Sequence, residues 1–222
     1  MPHALIQRLS LSLLALFSGL AMAVEQARYE VISAQGDFEL RHYPPLLIAQ
    51  TVVEGNMDQA SRKGFQLLAD FIFGNNLAAG GAGPGKIEMT APVTVEPQSA
   101  KIAMTAPVTV QAEGARSEAG QWRVHFVMPS QYTLASIPKP RNPAVELREL
   151  PSQWFVAHKF SGFTTESRVD AKTQEAVQWA RQQALTALSP PQLARYDPPW
   201  TLPMFRRNEI LIEVSAPASA KP

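Results

Sequence analysis

The stretch ELRHYPPLLIAQTVVEG at 39–55 returns 107 residues later as ELRELPSQWFVAHKFSG at 146–162. Glu39, Leu40, Arg41, Pro44 and Gly55 fall on Glu146, Leu147, Arg148, Pro151 and Gly162, and an apolar run follows the proline in each copy. Proline gives no amide donor to a ladder, so each copy reads as strand, break, strand. What comes next agrees as well. In the first copy Phe65, Leu68 and Ile72, with Leu67 and Phe71, sit at helical spacing after Asn56, a ready cap. In the second, Val169, Thr173, Val177, Ala180, Ala184 and Leu188 form one stripe, the signature of a core-facing helix. Both helices lead through Pro- and Gly-rich connections into more strands, WRVHFVMP in one half and NEILIEV in the other. Such a repeat restricts the chain to an α+β fold. Two related halves, about 28–130 and 140–215, should share one distorted antiparallel β-barrel with two helices against it, a pseudo-two-fold repeat and a cleft where they meet.

A smaller repeat lies inside the first half. KIEMTAPVTV at 86–95 and KIAMTAPVTV at 101–110 match at nine of ten positions. Ile87, Met89 and Ala91 alternate on one face with Thr90 on the other, and Ile102, Met104, Ala106 and Thr105 do the same. This is strand alternation, with Pro92 and Pro107 expected at a bulge, an edge or a strand end.

Residues 1–23 carry Arg8, then an apolar run, then Ala21 and Ala23 about Met22, the pattern of a secretory signal cleaved after Ala23. The expectation is export, most simply to the periplasm, of one domain over 24–215 with a flexible tail over 216–222 and no stable membrane insertion. Removing the leader takes away Arg8 and leaves 19 basic against 19 acidic side chains, without the surplus a nucleic-acid partner would require. No cysteine is present, so the core alone must hold the fold. Neither a zinc-binding His spacing nor G-x-S-x-G occurs, and LAAGGAGPGK at 77–86 runs into Ile87 where a phosphate loop needs Ser or Thr.

The histidines divide by strand parity. In FELRHYP, Phe38, Leu40 and His42 share the apolar face and Glu39, Arg41 and Tyr43 the other, and His42 lies just before a proline break. It reads either as a half-buried imidazole hydrogen-bonded to backbone or as an axial ligand to haem iron. His158 shares parity with Trp154, Val156 and Phe160 and belongs to the core, whereas His125 shares parity with Arg123 and should be solvated. Met89, Met104, Met128 and Met204 stand in or beside apolar segments, where packing is expected.

KIAMTAPV, FVMPSQY, ELRELP and above all ARYDPPWTLPMFRRNEILIEV together resemble the SOUL haem-binding protein family, over nearly the whole chain after the leader. The resemblance implies the distorted barrel with two helices and an internal repeat. It further implies non-enzymatic binding of haem or another tetrapyrrole, for buffering or delivery, in an exposed apolar groove against the first helix, with basic side chains near the propionates. Arg62 and Phe65 match the family's basic and apolar groove positions, and His42 lies where an axial ligand is suggested for some relatives. Asp70 and Thr201 stand where some relatives are basic, which leaves Arg206 and Arg207 either as substitutes or as partners of sheet carboxylates. The competing readings are a small-molecule enzyme on a GyrI-like scaffold, with Glu39, Glu146, Glu149 and Tyr196 as its candidate groups, and an envelope interaction protein.

Overall fold

The computed structural model describes residues 24–78, 83–97 and 120–217; the leader, the second decapeptide and the last residues of the tail lie outside them. The strands are β1 (Glu25–Gln26), β2 (Glu30–Gln35), β3 (Phe38–Tyr43), β4 (Leu46–Gly55), β5 (Asn76–Leu77), β6 (Thr90–Ala91), β7 (Val93–Pro97), β8 (Gly120–Val127), β9 (Lys139–Pro140), β10 (Glu146–Leu150), β11 (Gln153–Phe160), β12 (Gln192–Arg195) and β13 (Asn208–Val214). Helix α1 (Met57–Ile72) follows β4, and α2 (Glu166–Gln182) follows β11.

Nine strands form one antiparallel sheet in the order β10-β4-β8-β7-β12-β13-β11-β3-β2. Its centre is the β7–β12 pair. Outward from that centre each half places its last strand and then its second strand, while its first strand crosses over to pair with the other half, β3 on β11 and β10 on β4. The registers repeat too: a shift of 107 residues carries the Gln50–Glu146 pair onto the Ala157–Glu39 pair. The sheet remains open, with β10 and β2 as its edges, so the barrel is unclosed.

Both helices cover one face, α1 over β4 and β8 and α2 over β11 and β13. The α1 start is a reciprocal cap: Gln59 N donates to Asn56 Oδ1 at 2.9 Å and Asn56 N to Gln59 Oε1 at 3.4 Å, an arrangement worth about 1 kcal/mol. The helix then buries Ala60, Gly64, Leu68, Phe71 and Ile72. At Gly64 a Cβ would come 2.5 Å from Val124 on β8, so only glycine allows this approach. In α2 the buried stripe is Val169, Thr173, Ala176, Trp179 and Ala180, and it stops short of the sequence expectation. Ala184 takes a positive φ of 53° just past the helix end, which turns the chain away and leaves Leu188 exposed.

The sheet buries both of its faces. The helix-side core runs through Leu40, Ala49, Phe126, Val156 and Ile210, and a smaller cluster of Tyr43, Phe155, Ala157, Ala194 and Leu211 lies on the opposite face. Strand β3 therefore departs from simple alternation. Arg41 and Tyr43, expected on its polar side, are as buried as Leu40.

Candidate functional site

The junction of the two halves is built around Arg195, at the end of β12. It reaches Asp58 in the first turn of α1 at 3.6 Å and donates to Thr164 Oγ1, just before α2, at 3.0 Å. Burial, assisted by the nearby charge of Arg206, holds Arg195 below the ordinary arginine range despite Asp58. In register Arg195 opposes Val93, and Val93 opposes Phe126. Over Phe126 lies Phe65 from the outer side of α1, with ring centroids 5.6 Å apart, and Arg62 stands one turn earlier in solvent.

The segment 196–206 forms a second wall beside this junction. Gly162 N donates to Pro203 O at 2.8 Å, and Asn208 Nδ2 donates to Gly162 O at 3.1 Å. Arg206 fastens the segment from within: Nε donates to Thr201 O at 2.7 Å, Nη2 to Pro199 O, and the guanidinium lies 5.8 Å from the Phe163 ring. Held this way, the segment cannot fold its own apolar side chains inward. Phe163 is 61% exposed, Trp200 83%, Leu202 58%, Met204 62% and Phe205 73%. Scattered exposed apolar residues are ordinary, but five within one fastened loop and its neighbour make a candidate contact surface.

Strand parity sends the next residue elsewhere. Arg207 crosses to the face opposite the helices, where its Nε and Nη2 donate to Glu209 Oε1 at 2.9 and 2.7 Å and its guanidinium lies 3.9 Å from the Tyr196 ring. Glu209, wholly buried, also accepts from both terminal nitrogens of Arg41, at 2.6 and 2.9 Å, and from the Tyr196 hydroxyl at 2.6 Å. Burial alone would raise the Glu209 carboxyl, but the Arg41, Tyr196 and Arg207 contacts outweigh it and hold the group below its ordinary value. The same carboxylate keeps Arg41 and Arg207 above theirs against the pull of burial, and burial together with Glu209 drives Tyr196 far up. Burial pushes Tyr43, which accepts from Arg41, up to about 12.

The family match covers residues 24–99 and 96–213 with the description SOUL heme-binding protein. The chain belongs to the SOUL heme-binding protein family. No curated protein matches it. Among solved structures the EcmrR C-terminal domain is similar at 12% identity, covering 84% of this chain and 98% of that one with a TM-score of 0.56. A hydrolase from Listeria innocua is similar at 13% identity, covering 83% and 94% with a TM-score of 0.51. At such identity these likenesses show a shared fold.

Within this SOUL protein the expected site residues separate into three places. Arg62, Phe65 and Arg206 border the junction, whereas Arg207 is consumed in the Glu209 cluster on the other face. His42 is remote from both: its Nε2 lies 2.6 Å from Ser152 Oγ and its ring stacks on Trp154 at 4.5 Å. Trp154 and Phe160 occupy the two ends of β11, and Phe160 pairs with Asn208 beside the junction. Six residues of strand separate His42 from that end by about 20 Å, beyond the reach of an iron bound there.

The other histidines are also away from the junction. His158 is buried, with Nδ1 3.1 Å from Lys172 O and its ring stacked on Phe38 at 4.1 Å. His125, expected in solvent, is buried on the face opposite the helices, where burial first and then the Arg123 charge push it down to about 4. Met128 is packed, but Met204 stands out on the apolar rim, against the packing expected of it. Asp70 accepts from Asn75 Nδ2 at 2.5 Å, and Thr201 contributes its carbonyl to Arg206.

Of the candidate catalytic groups Glu39 and Tyr196 are both tied into the buried Arg41–Glu209 cluster, and Glu146 and Glu149 stand apart on the edge strand β10. Glu39 is bound by Lys159 at 2.5 Å and Arg41 at 2.8 Å, Glu146 accepts from Gln50 at 2.8 Å, Tyr196 serves Glu209, and Glu149 is exposed on the edge strand β10. Sequence reasoning missed Arg195, Phe163, Trp200 and Phe205. WTLPMF offered a usable signal, since it is apolar without strand or helix periodicity, follows Pro198 and Pro199 and is interrupted by Pro203.

Proposed function

We propose that this protein binds haem or a related tetrapyrrole without catalysis, in an exposed groove at the junction of its halves, after export to the periplasm. Family membership supports tetrapyrrole binding in general. The observation that carries this reading is the exposure of Phe65 and Arg62 on α1 and of Phe163, Trp200, Met204 and Phe205 about Arg206, on either side of the Arg195 contacts with Asp58 and Thr164. A flat macrocycle needs apolar faces on both sides, and its propionates need donors at one edge. Aromatic rings and arginine supply these without a deep cavity. When bound, haem would contribute an iron open to external ligands. The chain's own residues would cover the ring and orient it through its carboxylates.

Among the described residues no imidazole borders this arrangement, because His42, His125 and His158 all lie elsewhere. The metal should therefore matter little to affinity. Titration of the purified protein with haemin and with a metal-free porphyrin, followed by Soret absorbance and tryptophan quenching, should give saturable one-to-one binding to both, with dissociation constants within about tenfold of each other. Absence of saturable binding to either would refute the proposal. No helix among the described residues is long and apolar enough to cross a membrane.

A further inference from the structure

Arg62, Arg195 and Arg206 differ in how far their donors are committed. Arg62 lies in solvent on α1. Arg206 has spent Nε on Thr201 O and Nη2 on Pro199 O, so its fork is turned to the loop it fastens. Arg195 has spent one bond, from Nη2 to Thr164 Oγ1 at 3.0 Å, on a neutral hydroxyl. The carboxylate it pairs with is Asp58, whose Oδ1 stands 3.6 Å from the same Nη2, outside hydrogen-bond range.

The two members of that ion pair have unlike surroundings. The Arg195 side chain is 24% exposed and the Asp58 side chain 62%. A guanidinium that has left most of its water is best served by a carboxylate that accepts from it directly, and a solvated carboxylate held at a distance supplies little. Burial accordingly holds Arg195 below the ordinary arginine range in spite of Asp58, and the Arg206 charge pushes the same way. Asp58 loses little when parted from Arg195. It keeps its water and its place in the first turn of α1, where the helix end favours an acid.

We propose, on the tetrapyrrole reading above, that Arg195 anchors a carboxylate of the ligand and that Asp58 holds the place until that carboxylate displaces it. The guanidinium fork offers such a group paired donors, and the bond from Nη2 to Thr164 fixes the orientation of the fork. A macrocycle whose carboxyl groups are esterified has nothing with which to displace Asp58. The pair therefore selects for free acids.

The position also suits a ligand with an apolar body. Arg195 ends β12 at the centre of the sheet. Toward α1 it is followed in register by Val93 and then by Phe126, which lies beneath Phe65. Toward α2 the exposed Phe163 adjoins Thr164 in sequence. A carboxylate fixed at Arg195 leaves the rest of the molecule with aromatic surface on both sides.

Protoporphyrin and its dimethyl ester, titrated into the purified protein at submicromolar concentration and followed by tryptophan quenching, separate the anchor from the apolar contacts. The parent should bind the free acid more tightly than the ester. Arg195→Gln should weaken the acid about tenfold or more and leave the ester within about twofold of the parent. Asp58→Asn should act in the opposite direction, strengthening the acid about twofold to fivefold with no change for the ester. An Arg195→Gln protein that loses both ligands alike has lost structure and not an anchor, and an acid affinity unchanged or weakened in Asp58→Asn means that no exchange occurs; either result overturns the proposal. Should Arg195→Gln fail to fold, the exposed Asp58 decides by itself, since its substitution disturbs no buried group. A parent that binds neither form ends the tetrapyrrole reading and the anchor with it. A parent that binds the acid, beside an Arg195→Gln protein that binds it equally well, ends the anchor alone.

Discussion

Arg206 and Arg207 are neighbours in sequence and opposites in circumstance. Arg206 serves the helix side of the sheet, where it fastens a loop by its carbonyls and leaves five apolar side chains in water. Arg207 serves the other face, where its charge is spent on a carboxylate already shared by Arg41 and Tyr196. The difference is one of unmet demand. Every strong donor aimed at Glu209 has its acceptor, so that cluster has no capacity left for a ligand, whereas the rim around Arg206 exposes apolar surface that only a ligand or a partner could cover. A buried charge network and an exposed apolar rim can therefore lie a few residues apart without sharing a role.

The sharpest way to break this contrast is to remove the shared carboxylate. Glu209→Gln leaves the buried Arg41 and the half-buried Arg207 beside a neutral amide, and loss of one partner from a buried pair typically costs about 3–5 kcal/mol. Chemical denaturation should show a loss of that size, with ligand affinity of the remaining folded protein unchanged. A variant as stable as the parent would mean that the cluster is not what ties β3 to β13.

Acid should act on the same buried face. His125 has a folded value of about 4 against an ordinary 6.5, so below the ordinary value the unfolded chain binds the proton that the folded chain refuses. Its contribution is complete above pH 6.5 and is lost as pH falls toward 4, at up to about 1.4 kcal/mol per unit. His125→Asn should flatten the decline of Tm across that window. An equal decline in the variant would assign the acid sensitivity to other groups, of which His158, also held down by burial, is the next to examine.

On the groove side the expected sign reverses, with little change in stability and a clear change in binding. Trp200→Ala combined with Phe205→Ala removes side chains that are mostly in water, so stability should move by no more than about 0.5 kcal/mol. Haemin affinity should fall about tenfold or more, since each stacked ring contributes on the order of 1 kcal/mol. Unchanged affinity in this double variant would move the ligand away from the rim.

Much of the architecture was legible because it is written twice. The 107-residue repeat fixes strand, strand and helix in each half, and the crossed pairing of β3 with β11 and β10 with β4 preserves that symmetry in space. The site was harder to see. Arg62 and Phe65 follow from helix position, but Arg206 and Arg207 are divided by strand parity and their partners are far away in sequence. Burial on both faces also misled the reading of Arg41, Tyr43 and His125, because alternation marks a polar face only where that face meets water. No periodicity announces a rim such as Trp200 to Phe205, whose apolar side chains are held outward by backbone fastening.

The smallest expected effect concerns His42, and it decides whether the groove works without an imidazole. The ring is half-buried, engaged with Ser152 and stacked on Trp154, so His42→Ala should lose about 1 kcal/mol of stability from one hydrogen bond and one aromatic contact. Its distance from the junction predicts an unchanged Soret maximum and haemin affinity. A shifted Soret band would place the iron at the Trp154 end of β11 and would end the claim that Arg206 and Phe65 border the ligand. An unchanged spectrum, beside the loss expected from the Trp200 and Phe205 double variant, would locate the macrocycle on the groove side of the junction.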